Sequence, residues 1–270
     1  MGIILRTISR IRDWMEYGNE KVAYEDQEDS ASPYFAGPIV RYSGTMGAGK
    51  TFDMSRISMY AGFEHRLPIF AQDPKGDFAL YHSRILSTVS GRKDIRSRKL
   101  ADYLRNKVRI SNRKDGVEML DVINYIHDKM SGKEIRYPTL QLVVDEGGTL
   151  SFDNGENFWM IASTFRNDGI LCDVTTHREK GIGGVPAIAR EATRAVIVYP
   201  QYEDPEFFGV KIPPENVTRP MSNKKWYIDS VDRIPKSFEM PDAEDPIKDG
   251  MIPDVLTHPV NVTRIKKMRI

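Results

Sequence analysis

Between residues 37 and 200 the chain alternates short, continuous apolar runs with longer stretches whose apolar residues recur every three or four positions. The runs at 39–42, 68–72, 108–111, 140–144, 170–175 and 195–199 predict strands. Continuous rather than alternating hydrophobicity is the pattern of strands covered on both faces, and so of a parallel sheet between helical layers. Met119, Val122, Ile123, Ile126 and Met130 fall at helical spacing between two such runs and predict a helix packing one face on the core. The expected fold class is α/β, a mainly parallel sheet flanked by helices.

The flanks differ from this core. In residues 1–17, Ile4, Ile8, Ile11 and Met15 share one helical face, with Leu5 and Trp14 beside them and Arg6, Arg10 and Arg12 interspersed. That predicts a short basic amphipathic helix, which would pack on its own domain or a neighbouring subunit, or lie on a membrane or capsid surface. Residues 18–35 turn acidic and polar and read as a linker, so 1–36 forms one unit and 37–200 the core. Residues 201–270 carry many prolines, an acidic patch at 242–249 and a basic end from Arg264 to Arg269, which predicts an extended C-terminal arm.

Composition narrows the classes. With 270 residues, 40% of them hydrophobic, the chain can bury a core, and a net charge of +1 excludes a uniformly basic coat. The charge is segregated nonetheless: residues 92–114 hold ten Arg or Lys against two Asp, a candidate surface for nucleic-acid backbone. The single Cys172 lies in an apolar run and suits packing better than nucleophilic chemistry. The five histidines show no metal-ligand spacing, and no apolar run approaches the length of a membrane span. An intracellular, reducing setting is expected.

The most specific chemistry lies just after the first predicted strand. Gly44-Thr45-Met46-Gly47-Ala48-Gly49-Lys50-Thr51 matches the phosphate-cradling pattern GxxxxGK[ST] in full. Glycines let successive N–H groups face phosphate oxygens, Lys50 brings a point charge, and the Thr51 hydroxyl suits Mg²⁺. The following residues can continue as a helix whose N-terminus faces the anion. About ninety residues later the run LQLVV ends in Asp145-Glu146. The first carboxylate of such a pair suits Mg²⁺, and the second suits orienting and deprotonating an attacking water. Together these predict binding and hydrolysis of a nucleoside triphosphate. Asn112-Arg113-Lys114-Asp115 departs from a guanine-reading motif, because its Lys stands in the wrong place, so adenine, and hence ATP, is expected.

Two further segments carry a resemblance. Asp73-Pro74-Lys75-Gly76-Asp77 follows the second strand, and Arg166-Asn167-Asp168-Gly169-Ile170 leads into a strand ending Thr175-Thr176-His177. With the phosphate loop and Asp145-Glu146, they resemble the FtsK/HerA superfamily of DNA-pumping ATPases over residues 37–200. The DPKGD turn is especially similar to that of type IV secretion coupling proteins, and residues 185–198 look like the segment after the sensor strand in viral genome-packaging ATPases. The resemblance implies a RecA-like fold and a ring of subunits, a hexamer or pentamer, driving double-stranded DNA. It implies Glu146 as catalytic base, Asp145 and Thr51 at Mg²⁺, and Arg166 as a finger offered to the neighbouring subunit. His177 stands where the family usually has a Gln that senses the terminal phosphate, with Thr176 as fallback.

The short chain leaves no room for the large helical insertion of coupling proteins, which favours a viral packaging ATPase, located in the host cytoplasm or with the virion. A conjugation coupling protein, a Zot-type phage-assembly ATPase and a non-motor nucleotide-binding structural subunit stay open as alternatives.

Overall fold

A computed structural model describes residues 11–15, 37–132, 138–147, 150, 152, 157–177, 185–201, 204–248 and 250–257. The six apolar runs form six strands: β1 (Ile39–Ser43), β2 (Ile69–Gln72), β3 (Val108–Ser111), β4 (Leu140–Val144), β5 (Ile170–Thr176) and β6 (Thr193–Val198). They pair in parallel in the spatial order β6-β1-β5-β4-β2-β3. β1, β2, β4, β5 and β6 are buried throughout, which accounts for their continuous hydrophobicity. Sequence boundaries and structural ones differ by two residues at most, and most of that at β6, which starts at Thr193 rather than 195.

Helices cover both faces. On one side lie α1 (Lys50–Glu64), α2 (Asp77–Ser90) and α3 (Ile95–Lys107), packing Met54, Ile57, Phe78 and Leu104 against Val40, Tyr42, Ala71, Val143 and Ile197. On the other lie α4 (Val117–Met130) and the short helices α5 (Phe158–Ala162), α6 (Phe165–Asp168) and α7 (Ala187–Glu191). Their Met119, Val122, Ile126, Phe158, Phe165 and Ala189 meet Phe70, Leu142, Cys172 and Val174. Alternate residues of β1, β2 and β4 serve the two cores, as the pleat requires. The predicted stripe at 119–130 is buried at 119, 122, 123 and 126.

Residues 204–257 are built into the same body. After the hairpin β7 (Glu206–Phe207) and β8 (Val210–Lys211), β9 (Lys224–Asp229) pairs antiparallel with β6, and β10 (Lys236–Glu239) pairs antiparallel with β9. They extend the central sheet to eight strands. The chain then crosses α1 and reaches α8 (Asp254–Thr257), the last described element. The basic end, 264–269, lies outside the described residues.

Of the predicted N-terminal helix, residues 11–15 are described, and they are helical. Ile11 and Met15 are buried in the second core, and Trp14 meets Phe70 edge-on at 6.4 Å between ring centroids. Over these residues the apolar face therefore packs on the chain's own domain, one of the alternatives the sequence left open. Residues 1–10 and 16–36 lie outside the described residues. Among the described residues no helix is long and apolar enough to cross a membrane.

Candidate nucleotide site

Parallel strands bring their carboxyl ends to one edge of the sheet, and the turn between β1 and α1 opens there. The loop from Gly44 to Gly49 is pinned at its start: Gly44 donates its N–H to the Thr176 carbonyl at 3.1 Å and Thr45 to that of Pro200 at 2.7 Å. Gly44 is irreplaceable on packing grounds, since a Cβ there would stand 2.4 Å from that of Tyr199. Gly47 and Gly49 have φ of +75° and +85° with open space around them, so the requirement there is conformational. Met46 projects outward, 72% exposed.

Lys50, the first residue of α1, folds its ammonium back across the loop. It donates to the carbonyls of Gly44 at 2.8 Å and Thr45 at 2.7 Å, and meets His177 Nδ1 at 3.2 Å. Burial brings this ammonium down to about 8, against the upward pull of Asp145 and Glu146.

The Thr51 hydroxyl donates to Asp145 Oδ1 at 3.0 Å, and the Thr175 hydroxyl donates to the same oxygen at 2.8 Å. The Glu146 N–H in turn donates to the Thr175 oxygen at 2.7 Å. Thr175 thus orders both carboxylate residues, a role the sequence reading did not assign. Pairing β5 beside β4 brings them together, and that adjacency is not written in either segment alone. Thr176, the fallback sensor, is one residue on and so on the opposite face; its buried hydroxyl has no hydrogen-bond partner among the described residues.

Glu146 has φ +58°, a left-handed conformation that costs a non-glycine residue about 1 kcal/mol. Its carboxylate oxygen Oε1 accepts from His177 Nε2 at 2.8 Å and from the ammonium of Lys75. With Lys50 donating to Nδ1, Nε2 is the ring nitrogen that donates to Glu146, giving a chain from Lys50 through His177 to Glu146. Burial raises the Glu146 carboxyl, but the bonds from Lys75 and then His177 outweigh it and hold it below its ordinary value. Lys75 comes from the turn after β2. There Asp73, fully buried and pushed up by burial, accepts from the N–H groups of Gly76 at 3.1 Å and Ala79 at 2.9 Å.

The edge therefore assembles Lys50, Thr51, Asp145, Glu146 and His177, with Thr175 and Lys75 in addition. Arg166 lies elsewhere. It is exposed on α6, before β5 begins, so the length of that strand, about 20 Å, separates it from its own phosphate loop. The basic stretch 92–114 is also divided. Lys107 is buried and donates to the Met15 carbonyl at 3.1 Å, and Arg96 pairs with Glu64 at 2.7 Å. Arg109 is bonded to Glu118 and Arg113 to Asp115. Lys93, Arg98, Lys99 and Lys114 remain exposed.

The donor set fits a nucleotide with Mg²⁺. Thr51 and Asp145 offer hard oxygen donors 3.0 Å apart beside an ammonium and a glycine loop. Among the described residues no cluster of three or more His, Cys, Asp or Glu would hold a metal by protein ligands alone.

No protein-family model matches the sequence, and no curated protein does. Solved structures with similar folds include the conjugation coupling protein TcpA of pCW3 with ATPγS, 12% identical over 85% of this chain and 71% of that one, TM-score 0.50. Another is the genome packaging NTPase B204 from Sulfolobus turreted icosahedral virus 2 with ATPγS, 14% identical over 76% of this chain and 98% of that one, TM-score 0.46. ATPases 2 and 3 of EssC from Geobacillus thermodenitrificans are 13% identical over 83% and 43% of the two chains, TM-score 0.49. At these identities the likeness is one of fold: the chain is a RecA-like P-loop protein, as its strand order and loop also say.

Proposed function

We propose that this chain hydrolyses ATP and uses the energy to drive double-stranded DNA, as a subunit of a ring that packages a viral genome. The observation that carries the reading is the convergence of a phosphate loop, a metal-binding hydroxyl–carboxylate pair and a positioned second carboxylate on one sheet edge. Mg²⁺ bound between Thr51 and Asp145 would neutralise charge on the phosphates. The chain's own residues do the rest. Lys50 can turn its ammonium from the Gly44 and Thr45 carbonyls to phosphate oxygens. Thr175 holds Asp145 and the Glu146 backbone in place, and Glu146, braced by His177, takes a proton from water.

Arg166 cannot serve its own site from the far end of β5, so a finger role requires a neighbouring subunit, as in a head-to-tail ring. Its guanidinium would stay charged and could bridge two phosphate oxygens. Mixed rings of Arg166→Ala and Lys50→Ala subunits, each inactive alone, would then regain some activity.

The DNA half of the reading rests on the sequence resemblance and on the exposed cations of α3 and its flanks. The decisive experiment is ATPase activity with and without duplex DNA at two salt concentrations. Unrelated duplexes should stimulate to similar extents, and less at high salt, because bound cations release counterions. Replacing Lys93, Arg98 and Lys99 by Glu should remove the stimulation and spare DNA-free turnover. A well-assembled wild type that DNA does not stimulate would leave an ATPase without a translocating role.

A further inference from the structure

Behind the central sheet, on the face away from α1, lies a cleft of about 620 Å³. Arg41 of β1, 1% exposed, forms its floor with Thr193 at the start of β6. Val40 and Tyr42 on either side serve the core under α1, so the pleat turns Arg41 the other way. There its guanidinium carbon lies 5.8 Å from the centre of the Phe207 ring. One wall is α7 with Arg190 and Glu191, a second is the β7–β8 hairpin with Glu206 and Phe208, and a third is the turn after β9 with Ser230 and Arg233. Thr193 and Ser230 belong to the sheet edge opposite the phosphate loop. The six residues of β6, about 20 Å, separate them from that loop.

Three guanidiniums from three separate elements thus border one space, against two carboxylates. Arg190 spends one N–H on the Val185 carbonyl at 2.8 Å, and the exposed Arg233 side chain has no hydrogen-bond or ion-pair partner among the described residues. Guanidinium forks match the oxygens of a phosphate group, and an excess of one positive charge favours an anion. Glu191 and Glu206 offer acceptors, which suit the hydroxyl groups of such a ligand. The volume is that of a small-molecule pocket, typically about 300–1,000 Å³. A bare phosphate ion would leave most of it empty, and a duplex could not enter. Phe208 and Arg233 hold φ of +54° and +58° at its rim. Non-glycine residues keep that conformation only where the surroundings impose it, and it gathers at ligand sites.

We infer that this cleft is a second ligand site, for a phosphate monoester of a sugar. Arg190 and Arg233 hold the phosphate above the charge of Arg41, while Glu191 and Glu206 accept from the sugar hydroxyls. The site is separate from the phosphate loop and does not depend on the hydrolytic reading.

The test titrates ribose 5-phosphate into the full chain by calorimetry. It compares wild type, Lys50→Ala, Arg233→Gln, and the double variant Arg190→Gln with Arg233→Gln. Wild type and Lys50→Ala should bind alike, because the phosphate loop takes no part. Arg233→Gln should weaken binding about tenfold, the loss expected for one charge-assisted bond, and the double variant should weaken it further. Urea midpoints of the arginine variants should match wild type, and so should their affinity for ATPγS. Inorganic phosphate should bind more weakly than ribose 5-phosphate. Wild type that fails to bind ribose 5-phosphate at millimolar concentration would overturn the site. Loss of binding in Lys50→Ala would overturn it too, by placing the ligand at the phosphate loop. So would unchanged affinity in both arginine variants. Inorganic phosphate binding as tightly as ribose 5-phosphate would overturn the sugar and the part given to Glu191 and Glu206. If ribose 5-phosphate binds as expected and ATPγS does not, the nucleotide reading falls and this site stands.

Discussion

Charged residues do opposite work at the first residue of α1 and one to two turns along it. At its N-terminus, Lys50 and its neighbours on the sheet edge make contacts that a ligand could replace: carbonyls of a loop, a histidine, a partly exposed lysine on a glutamate. One turn on, Asp53 is buried in an ion pair with Lys225 of β9 at 2.8 Å and accepts from the Tyr199 hydroxyl at 2.5 Å. Arg56 donates to the carbonyls of Pro241, Asp242 and Asp245. Arg194 under the same segment holds those of Pro38, Val255 and Leu256. The Asp53 and Arg56 contacts tie β9 and residues 241–245 to the helix that follows the phosphate loop, and those of Arg194 tie Val255 and Leu256 to β6. Burial alone does not separate the two sets, since Lys50 is as buried as Lys225; the Lys50 and Lys75 contacts lie at the sheet edge where a ligand can replace them, whereas Asp53 is paired inside the fold, where a lost partner is costly.

The comparison is tested first where the effect is largest. Glu146→Gln keeps the shape and the bond to His177 but cannot take a proton, so kcat should fall by about 10²- to 10⁴-fold. Its urea midpoint should match wild type, because that edge does not hold the fold together. A comparable loss of stability in this variant would erase the contrast between the two sets.

Lys225→Met should show the converse. It leaves Asp53 buried without its cation, a change that costs about 3–5 kcal/mol when one partner of a buried pair is removed. Burial already raises the Asp53 carboxyl, and Lys225 is the strongest influence opposing that rise. Adding Asp53→Asn removes the orphaned charge, so the double variant should recover most of the lost stability. Chemical unfolding of the three proteins decides this. A double variant as unstable as Lys225→Met would mean that packing at β9, not charge, supplies the tie.

The same contrast explains what was legible in the sequence. Each parallel strand is an apolar run in itself, so all six could be read locally, and the phosphate loop is a contiguous motif. β9 and β10, by contrast, read Lys-Lys-Trp-Tyr-Ile-Asp and Lys-Ser-Phe-Glu. Both mix polar with apolar residues, β9 burying Lys225 and Asp229 beside Tyr227 and Ile228, and Lys225 finds its partner Asp53 more than 150 positions away. Such a segment looks like an arm until its charges are paired. Thr175 and Lys75 escaped assignment for a related reason: their roles depend on β5 and β2 both lying beside β4. Lys107 misled in the opposite direction, as a cation in a basic stretch that turns out to be buried against Met15.

The smallest expected effect concerns Asp173, which sits in β5 beneath α1. It accepts from the Ser58 hydroxyl at 2.5 Å and from the Gln141 amide at 2.8 Å, with Arg194 the cation acting on it. Burial raises its carboxyl to about 7, and Arg194 opposes the rise without cancelling it. Between its ordinary value of 3.8 and about 7 the folded chain therefore keeps a proton that the unfolded chain has released. The stability this gives is fully present below the ordinary value and is lost as pH rises through about 7, so folding should weaken across that window. Asp173→Asn cannot titrate and should show a smaller drop in urea midpoint between pH 5 and pH 7.5 than wild type does. Other groups titrating in the window act on both proteins alike, so the difference isolates Asp173. Parallel curves would mean that Arg194 keeps the carboxylate ionised throughout, and Asp173 would then join Asp53 among the paired charges that hold the sheet to its helix.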